Sequence, residues 1–248
     1  GVGPYDITAA DAQGTGLGNY TINYAEGTLT VDPRALTVTA DDASKTYGDT
    51  LVFDGTEFTV DGLVNDDEVT SVTLASLGAA ATAGVGPYDI TAANALGTGL
   101  GNYTINYAEG TLTVEPRALT ITADDASKTY GDLLVFDGTE FTADGLVNDD
   151  EVTAVTLASL GAAATAGVRP DDRRAAEARG TGWAHYHIKN EDSTLTVDPR
   201  ALTVTADDAT KTCGDTLVFD GTEFTADGLV NDDEVTAVTL AGLGAAAT

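Results

Sequence analysis

Cysteine, histidine and methionine are scarce in this sequence. Its 248 residues include one cysteine, two histidines and no methionine. The single thiol, Cys213, cannot form a disulfide within the chain. Because both histidines lie in one short block, no nucleophile–base arrangement can recur along the chain. We therefore expect a protein that is not an enzyme, and a sequence without methionine is expected to be an excerpt of a longer protein.

Basic residues and long apolar runs are also few. Eleven Lys and Arg stand against 40 Asp and Glu, which gives a net charge of −29. Binding to phosphates requires clustered Lys and Arg, and an anionic membrane would repel this chain. No apolar run approaches the roughly 20 residues of a membrane-spanning helix. We therefore expect no nucleic-acid partner and no membrane insertion, and we interpret the acidic charge mainly as a source of solubility.

What the sequence does contain is a tandem repeat. The segment that begins at Ala35 returns at Ala118 and at Ala201, a constant spacing of 83 residues. This period is longer than the about 20–50 residues of a solenoid coil and suits a small, independently folding domain. We predict four parts: the C-terminal half of a truncated module (1–34), two complete modules (35–117, the first module, and 118–200, the second module), and the N-terminal half of a truncated module (201–248).

The apolar pattern within each repeat predicts strands. Leu36, Val38 and Ala40 alternate with threonines, which is the period of a half-buried strand. We predict a β-hairpin over residues 20–31 and its later copies, and a strand pair around the Asp54–Gly55 turn. Each module should contain six or seven short strands and no helix, so the fold class is mainly β.

The joint between modules is short. Asp32, Pro33 and Arg34 separate the last strand of one repeat from the first strand of the next, and Pro33 cannot continue a sheet ladder. Because so short a linker cannot behave as a random coil, we expect consecutive modules to be partners of each other in a semi-rigid array.

One block departs from the repeat. Residues 167–193 carry both histidines and five of the eleven basic residues. Asp171 and Arg173 stand there in place of Tyr88 and Ile90, which the alternation places inward. We therefore predict that the second module is partly unfolded or folds only with its neighbours, whether the block arose from relaxed drift or from a local reading-frame slip. His185 and His187 could form half of a metal site, but further ligands are lacking nearby.

Calcium is the metal that the acidic turns favour, because hard cations prefer oxygen ligands from Asp, Asn and main-chain groups. Two turns of the first module could supply these ligands if they lie at the same end of the module. Solvated acidic loops, with no cofactor, are what we expect, and a specific calcium site is the alternative. The candidate ligands are Asp41, Asp42, Asp49, Asn65, Asp66, Asp67 and Glu68.

The lysines Lys45 and Lys128 lie beside the repeated Tyr-Gly-Asp turn. An intramolecular isopeptide bond would need an Asn beside a buried carboxylate, and Asn19 and Asn23 are the nearest candidates by type. A lysine in so polar a turn is normally solvated, and this is what we expect here.

Four motifs recur in a fixed order: Leu-Thr-Val-Thr-Ala-Asp-Asp-x-Ser-Lys-Thr-Tyr-Gly-Asp, Phe-Thr-x-Asp-Gly-Leu-Val-Asn-Asp-Asp, Gly-Pro-Tyr-Asp-Ile and Gly-Asn-Tyr-Thr-Ile-Asn-Tyr-Ala-Glu-Gly-Thr-Leu-Thr-Val. This order resembles the MBG repeat of the Tyr-Gly type, found in large bacterial surface and secreted adhesins similar to filamentous haemagglutinins. The resemblance implies an extracellular β-sandwich module, immunoglobulin-like or β-grasp-like. It also implies a non-catalytic stalk or array element. The alternative is a multivalent module, stabilised by calcium, that binds host or matrix glycans or proteins weakly.

Overall fold

The computed structural model describes residues 1–247 and divides into two compact units. The first unit comprises Gly1–Arg117 together with Ala184–Tyr186, and the second comprises Ala118–Trp183 together with the described residues from His187 onward. Among the described residues, the helical segments are three-residue 3₁₀ turns: Leu17–Asn19, Leu77–Ala79, Leu100–Asn102, Leu160–Ala162 and Trp183–His185. No helix in this part of the chain is long and apolar enough to cross a bilayer.

The remaining regular structure is β. The strands up to the end of the first module are β1 (Gly3–Ile7), β2 (Gly27–Val31), β3 (Arg34–Ala40), β4 (Ala43–Thr46), β5 (Phe58–Asp61), β6 (Glu68–Ala75), β7 (Gly86–Thr98), β8 (Tyr103–Ala108) and β9 (Gly110–Glu115). Those that follow are β10 (Arg117–Ala123), β11 (Ala126–Thr129), β12 (Phe141–Asp144), β13 (Val152–Ala158), β14 (Pro170–Gly180), β15 (Tyr186–Glu191), β16 (Ser193–Asp198), β17 (Thr203–Ala206) and β18 (Phe224–Asp227).

Seven strands of the first module form two sheets. Strand β3 is central in a three-stranded sheet, antiparallel to β5 and parallel to β8. The other sheet has the order β4-β9-β7-β6, with β4 parallel to β9. The long strand β7 pairs with β9 through its first half and with β6 through its second half. The prediction of a mainly β fold built from tandem modules is confirmed, and each module has the expected number of strands.

The core lies between the two sheets and follows the alternation seen in the sequence. Leu36 and Val38 of β3 pack with Val72 of β6 and Tyr103 of β8. Where the alternation continues to Ala40, the packing partners are Ile90 and Leu112 from the other sheet. The intervening threonines of β3 are half-buried.

The predicted hairpin over residues 20–31 and its copies is wrong. Strands β8 and β9 follow each other with only Glu109 between them, yet β8 pairs with β3 and β9 pairs with β4 and β7. The chain changes sheets at Gly110, where an added Cβ would lie 2.5 Å from the carbonyl oxygen of Ala40. In the first 34 residues the pairing strands are β1 and β2, so residues 20–26 form no strand.

The predicted strand pair around Asp54 is also wrong. Residues 51–53 have no strand conformation, although the Leu51 N–H donates to the carbonyl of Ala79 at 2.9 Å. Strand β5, which follows the turn, pairs with β3 instead. Period-2 alternation therefore located β5 correctly, but it also predicted a strand at residues 51–53 that does not form, and it did not identify the partner of β5.

The second module repeats this arrangement. Its sheets have the orders β12-β10-β15 and β11-β16-β14-β13, which correspond strand for strand to those of the first module. Strands β17 and β18 form an antiparallel pair in the last described segment. The exact limits of the folding modules stay a prediction.

Candidate functional site

The Tyr-Gly-Asp turn is built around a buried lysine. Lys45 on β4 is only 9% exposed, and its Nζ donates to the main-chain carbonyls of Asp49 and Ala80, both at 2.7 Å. The expectation of a solvated lysine is therefore wrong. The reason is that Gly48, at φ 89°, turns the chain so that carbonyl oxygens point inward and require a donor. Burial lowers the pKa of Lys45, and the nearby Asp49 carboxylate opposes this shift.

The same arrangement recurs at the repeat spacing. Lys128 donates to the carbonyls of Asp132 at 2.7 Å and Ala163 at 2.5 Å. Lys211 donates to the carbonyls of Asp215 at 2.9 Å and Ala246 at 2.7 Å. All these acceptors are main-chain oxygens, not side-chain amides such as Asn19 or Asn23. The lysine therefore acts as a clamp that joins the turn to the segment after the fourth strand of its module, which is β6 in the first module and β13 in the second.

An arginine from the inter-module joint binds the outer side of the same turn. Arg117 Nη1 donates to the Tyr47 carbonyl and to Asp49 Oδ1, both at 3.1 Å. Arg200 repeats these contacts with the Tyr130 carbonyl at 3.4 Å and Asp132 Oδ1 at 3.1 Å. Because these pairs are partly exposed, each contributes at most about 1 kcal/mol. Their role is to orient the joint against the turn of its own module.

The two acidic turns proposed for calcium do not lie together. Asp41 and Asp42 follow the C-terminal end of β3, where the Asp41 N–H donates to the Glu57 carbonyl. The turn with Asn65 follows Gly62, which packs against Ala35 near the opposite end of β3. A strand of this length spans roughly 20 Å, so one cation cannot bind both turns.

Several of the predicted ligands are engaged within the protein. Asp42 Oδ1 accepts from the Thr111 N–H at 2.6 Å, and Asp67 Oδ2 accepts from the Tyr103 hydroxyl at 2.8 Å. Asp49 pairs with the joint arginine, as described above. The remaining candidates, Asp41, Asn65, Asp66 and Glu68, are exposed. Over residues 1–247, no three His, Cys, Asp or Glu side chains converge as a metal-binding group, His185 and His187 included. Calcium dependence stays a prediction.

The sequence reasoning missed a carboxylate loop at Asp54–Glu57. Glu57 accepts from the N–H groups of Asp54 at 3.0 Å and Gly55 at 2.9 Å, while Asp54 Oδ1 accepts from the Thr56 hydroxyl at 2.5 Å. These hydrogen bonds from Thr56 lower the pKa of Asp54. The threefold recurrence of Asp-Gly-Thr-Glu was the signal, but it was interpreted as a simple turn.

The aberrant block places two charged groups in the core. Arg173 is 1% exposed, in the position of Ile90, and its guanidinium lies 4.6 Å from the ring centroid of Phe136. Its Nη1 donates to the Asp124 carbonyl and its Nη2 lies 3.8 Å from Glu140 Oε2. Among the described residues, Arg173 Nε and Asp171 Oδ2 are buried without a hydrogen-bond partner. The prediction that both positions point inward is confirmed.

These features define a class of protein: a tandem β-module array whose repeated polar residues bind the protein's own main chain. A family model for the MBG domain (YGX type) matches residues 36–113 and 119–196, more than half of the chain. The chain therefore belongs to the MBG domain (YGX type) family, and the predicted family is confirmed. Such domains are repeat modules of surface proteins and are structural, not known as catalytic. A comparison with curated proteins found no match.

Proposed function

We propose that this chain is a non-catalytic spacer segment of a large bacterial extracellular adhesin, in which tandem modules hold an adhesive region away from the cell surface. The observation that carries the proposal is the recurrence of the lysine clamp. Lys45, Lys128 and Lys211 each bind two carbonyls of their own module. This repeated polar side chain therefore stabilises the module and is not available for a ligand.

The clamp also suits a mechanical role. It joins the Tyr-Gly-Asp turn to a segment 31 or more residues later in the chain, because Lys45 Nζ contacts both Asp49 and Ala80. Pulling the ends of a module apart must break these charge-assisted hydrogen bonds, which contribute about 1.5–3 kcal/mol each. Modules held in this way would extend only above a threshold force.

Single-molecule force spectroscopy on the full chain tests the proposal. We expect discrete unfolding steps, each releasing roughly 250 Å or more of contour length, since an extended residue spans about 3.3–3.6 Å. Extension without discrete steps would contradict the proposal that the modules resist force as a spacer.

The alternative function, weak multivalent binding of glycan or protein, is favoured by one repeated surface feature. A groove of about 530 Å³ lies beside Leu77, Pro87 and Tyr88, and a groove of about 460 Å³ lies at the matching position beside Leu160 and Asp171. Leu77 is 89% exposed and Leu160 is 83% exposed. Apolar side chains presented at a regular spacing could bind a repetitive partner through avidity.

A glycan array and a panel of matrix proteins, probed with the full chain, distinguish the two functions. We expect no specific binding. The matched control is the double variant Leu77→Ser with Leu160→Ser, which changes exposed groove residues and leaves the core intact. Binding of one ligand class that this variant abolishes would support the alternative and contradict the spacer role.

A further inference from the structure

The Tyr-Gly-Asp turn of the second module has an external contact within the second unit. An added Cβ on Gly131 would lie 2.5 Å from Cγ2 of Val230, which belongs to the next repeat. Gly131 has φ 90°, so its outer surface is bare backbone. Val230 therefore packs directly on the turn, at a distance that no larger residue at position 131 would permit.

A hydrogen bond accompanies this packing. The Asn231 side-chain amide donates to the carbonyl of Ala164 at 2.8 Å. Ala164 lies beside the turn, because its carbonyl also accepts from the Gly131 N–H at 3.2 Å. The loop 229–232, which carries the repeated Leu-Val-Asn-Asp motif, thus contacts both segments that Lys128 clamps together.

The loop has a strained backbone in every copy. Asn231 and Asp232 have φ values of 56° and 61°, and the equivalent residues Asn65 and Asp66 have values of 58° and 59°. Asn and Asp are the residues other than glycine that adopt this conformation most readily, and in the first module the loop is supported from within, because the Tyr103 hydroxyl donates to the Val64 carbonyl at 3.1 Å.

The first unit offers an internal comparison. The half-module that precedes the first module, residues 1–34, contains no Tyr-Gly-Asp motif. In the first module, the equivalent loop residues Val64 and Asn65 line a cavity of about 220 Å³ together with Asn102 and Tyr103. Val64 is 37% exposed in this unit, and in the other unit Val230 packs on Gly131. The loop thus keeps its conformation without a turn to contact, as a preformed receptor does.

We propose that the loop 229–232 is a docking surface whose occupant is the Tyr-Gly-Asp turn 130–132 of the preceding repeat. Lys128 and Arg200 hydrogen-bond to the turn and hold it rigid. On its outer side, the loop contacts Gly131 and the adjacent carbonyl of Ala164. The Tyr-Gly-Asp motif and the Leu-Val-Asn-Asp motif therefore specify a contact between consecutive modules. This inference goes beyond the proposed function, because this contact between modules forms whether the array is a spacer or a binding surface.

Spin-label distance measurements on the full chain test the contact between the turn 130–132 and the loop 229–232. Labels are placed at Thr142→Cys and Thr225→Cys, which are exposed, equivalent positions of β12 and β18, in a Cys213→Ser background. We expect a narrow distance distribution, and at least a twofold increase in its width for Gly131→Ala, because the added methyl group collides with Val230. Adding Val230→Ala to Gly131→Ala should narrow the distribution again.

Two further variants separate docking from backbone strain. Gly214→Ala makes the same substitution at φ 92°, but its added Cβ meets nothing within 4 Å, so the width should not change. Asn231→Gly removes the amide donor and accepts the positive φ without strain, so it should broaden the distribution even if Gly131→Ala loses its β-sheet circular dichroism. Any of three results would overturn the proposal. These are a broad distance distribution in the labelled Cys213→Ser protein without further changes, equal widths for Gly131→Ala and Gly214→Ala, and an unchanged width for Asn231→Gly.

Discussion

Replacing Arg173 by isoleucine should stabilise the second module. The equivalent residue of the first module, Ile90, is 0% exposed and packs against Leu112. Arg173 occupies the same core position as a charged group with its Nε unpaired, among the described residues. Arg173→Ile therefore restores the apolar contact and removes a buried charge.

The change in the free energy of unfolding depends on whether the hydrogen-bond acceptors of the guanidinium keep other donors when it is removed. Its acceptors keep other donors: the Asp124 carbonyl accepts from the Ser193 hydroxyl at 2.9 Å, and Glu140 accepts from the N–H groups of Gly138 and Thr139. Replacing a buried charged group by an apolar residue of suitable volume is neutral or stabilising by about 1–4 kcal/mol when no partner is orphaned. The lost contact with Phe136 offsets about 0.5–2 kcal/mol of this. Combining these two ranges gives roughly −1 to 3.5 kcal/mol, and we therefore expect a net gain of about 1 kcal/mol.

The assay is urea unfolding of the full chain followed by the fluorescence of Trp183, the only tryptophan, which lies within the aberrant block. The matched control is Arg174→Ile, the same chemical change at a side chain that is 70% exposed, where we expect a change within about 1 kcal/mol. If Arg173→Ile lowers the unfolding midpoint, or if both variants shift it equally, the inward placement of Arg173 does not determine the stability of this module.

Three further predictions concern the clamp, the acidic loops and calcium. Lys128→Met should lower the free energy of unfolding by about 3–6 kcal/mol, since two charge-assisted hydrogen bonds are lost. Trp183 fluorescence measures this change, Ser127→Ala is the exposed control, and an unchanged midpoint would contradict the clamp. Because the pKa of Asp54 is lowered in the folded state, its stabilisation is present above about pH 4 and is lost as pH falls through the folded pKa. Thr56→Val should raise that pKa in an NMR titration of the carboxyl carbon, and a pKa unaffected by Thr56→Val would show that Thr56 is not its cause. Calcium should raise the melting temperature no more than sodium at equal ionic strength, and an excess at sub-millimolar calcium would contradict this expectation.

Local patterns in the sequence determined most of the strands and which of their residues face the core, although residues 51–53 do not form the strand that their alternation predicted. The alternation of Leu36, Val38 and Ala40 predicted their burial, and the fixed spacing of 83 residues predicted that Arg173 would point inward as Ile90 does. The strand period can be read from neighbouring residues, and the repeat can be read by comparing the sequence with itself at a spacing of 83 residues.

The tertiary structure decided which strands pair and what the polar side chains bind. Strands β8 and β9 separate into different sheets because Gly110 lets the chain pass close to the Ala40 carbonyl, a contact between residues 70 positions apart. Lys45 is buried because a turn and a distant segment both present carbonyls to it, and the acidic turns are kept apart by the length of β3. Such contacts join residues that are remote in sequence, so no local pattern could specify them.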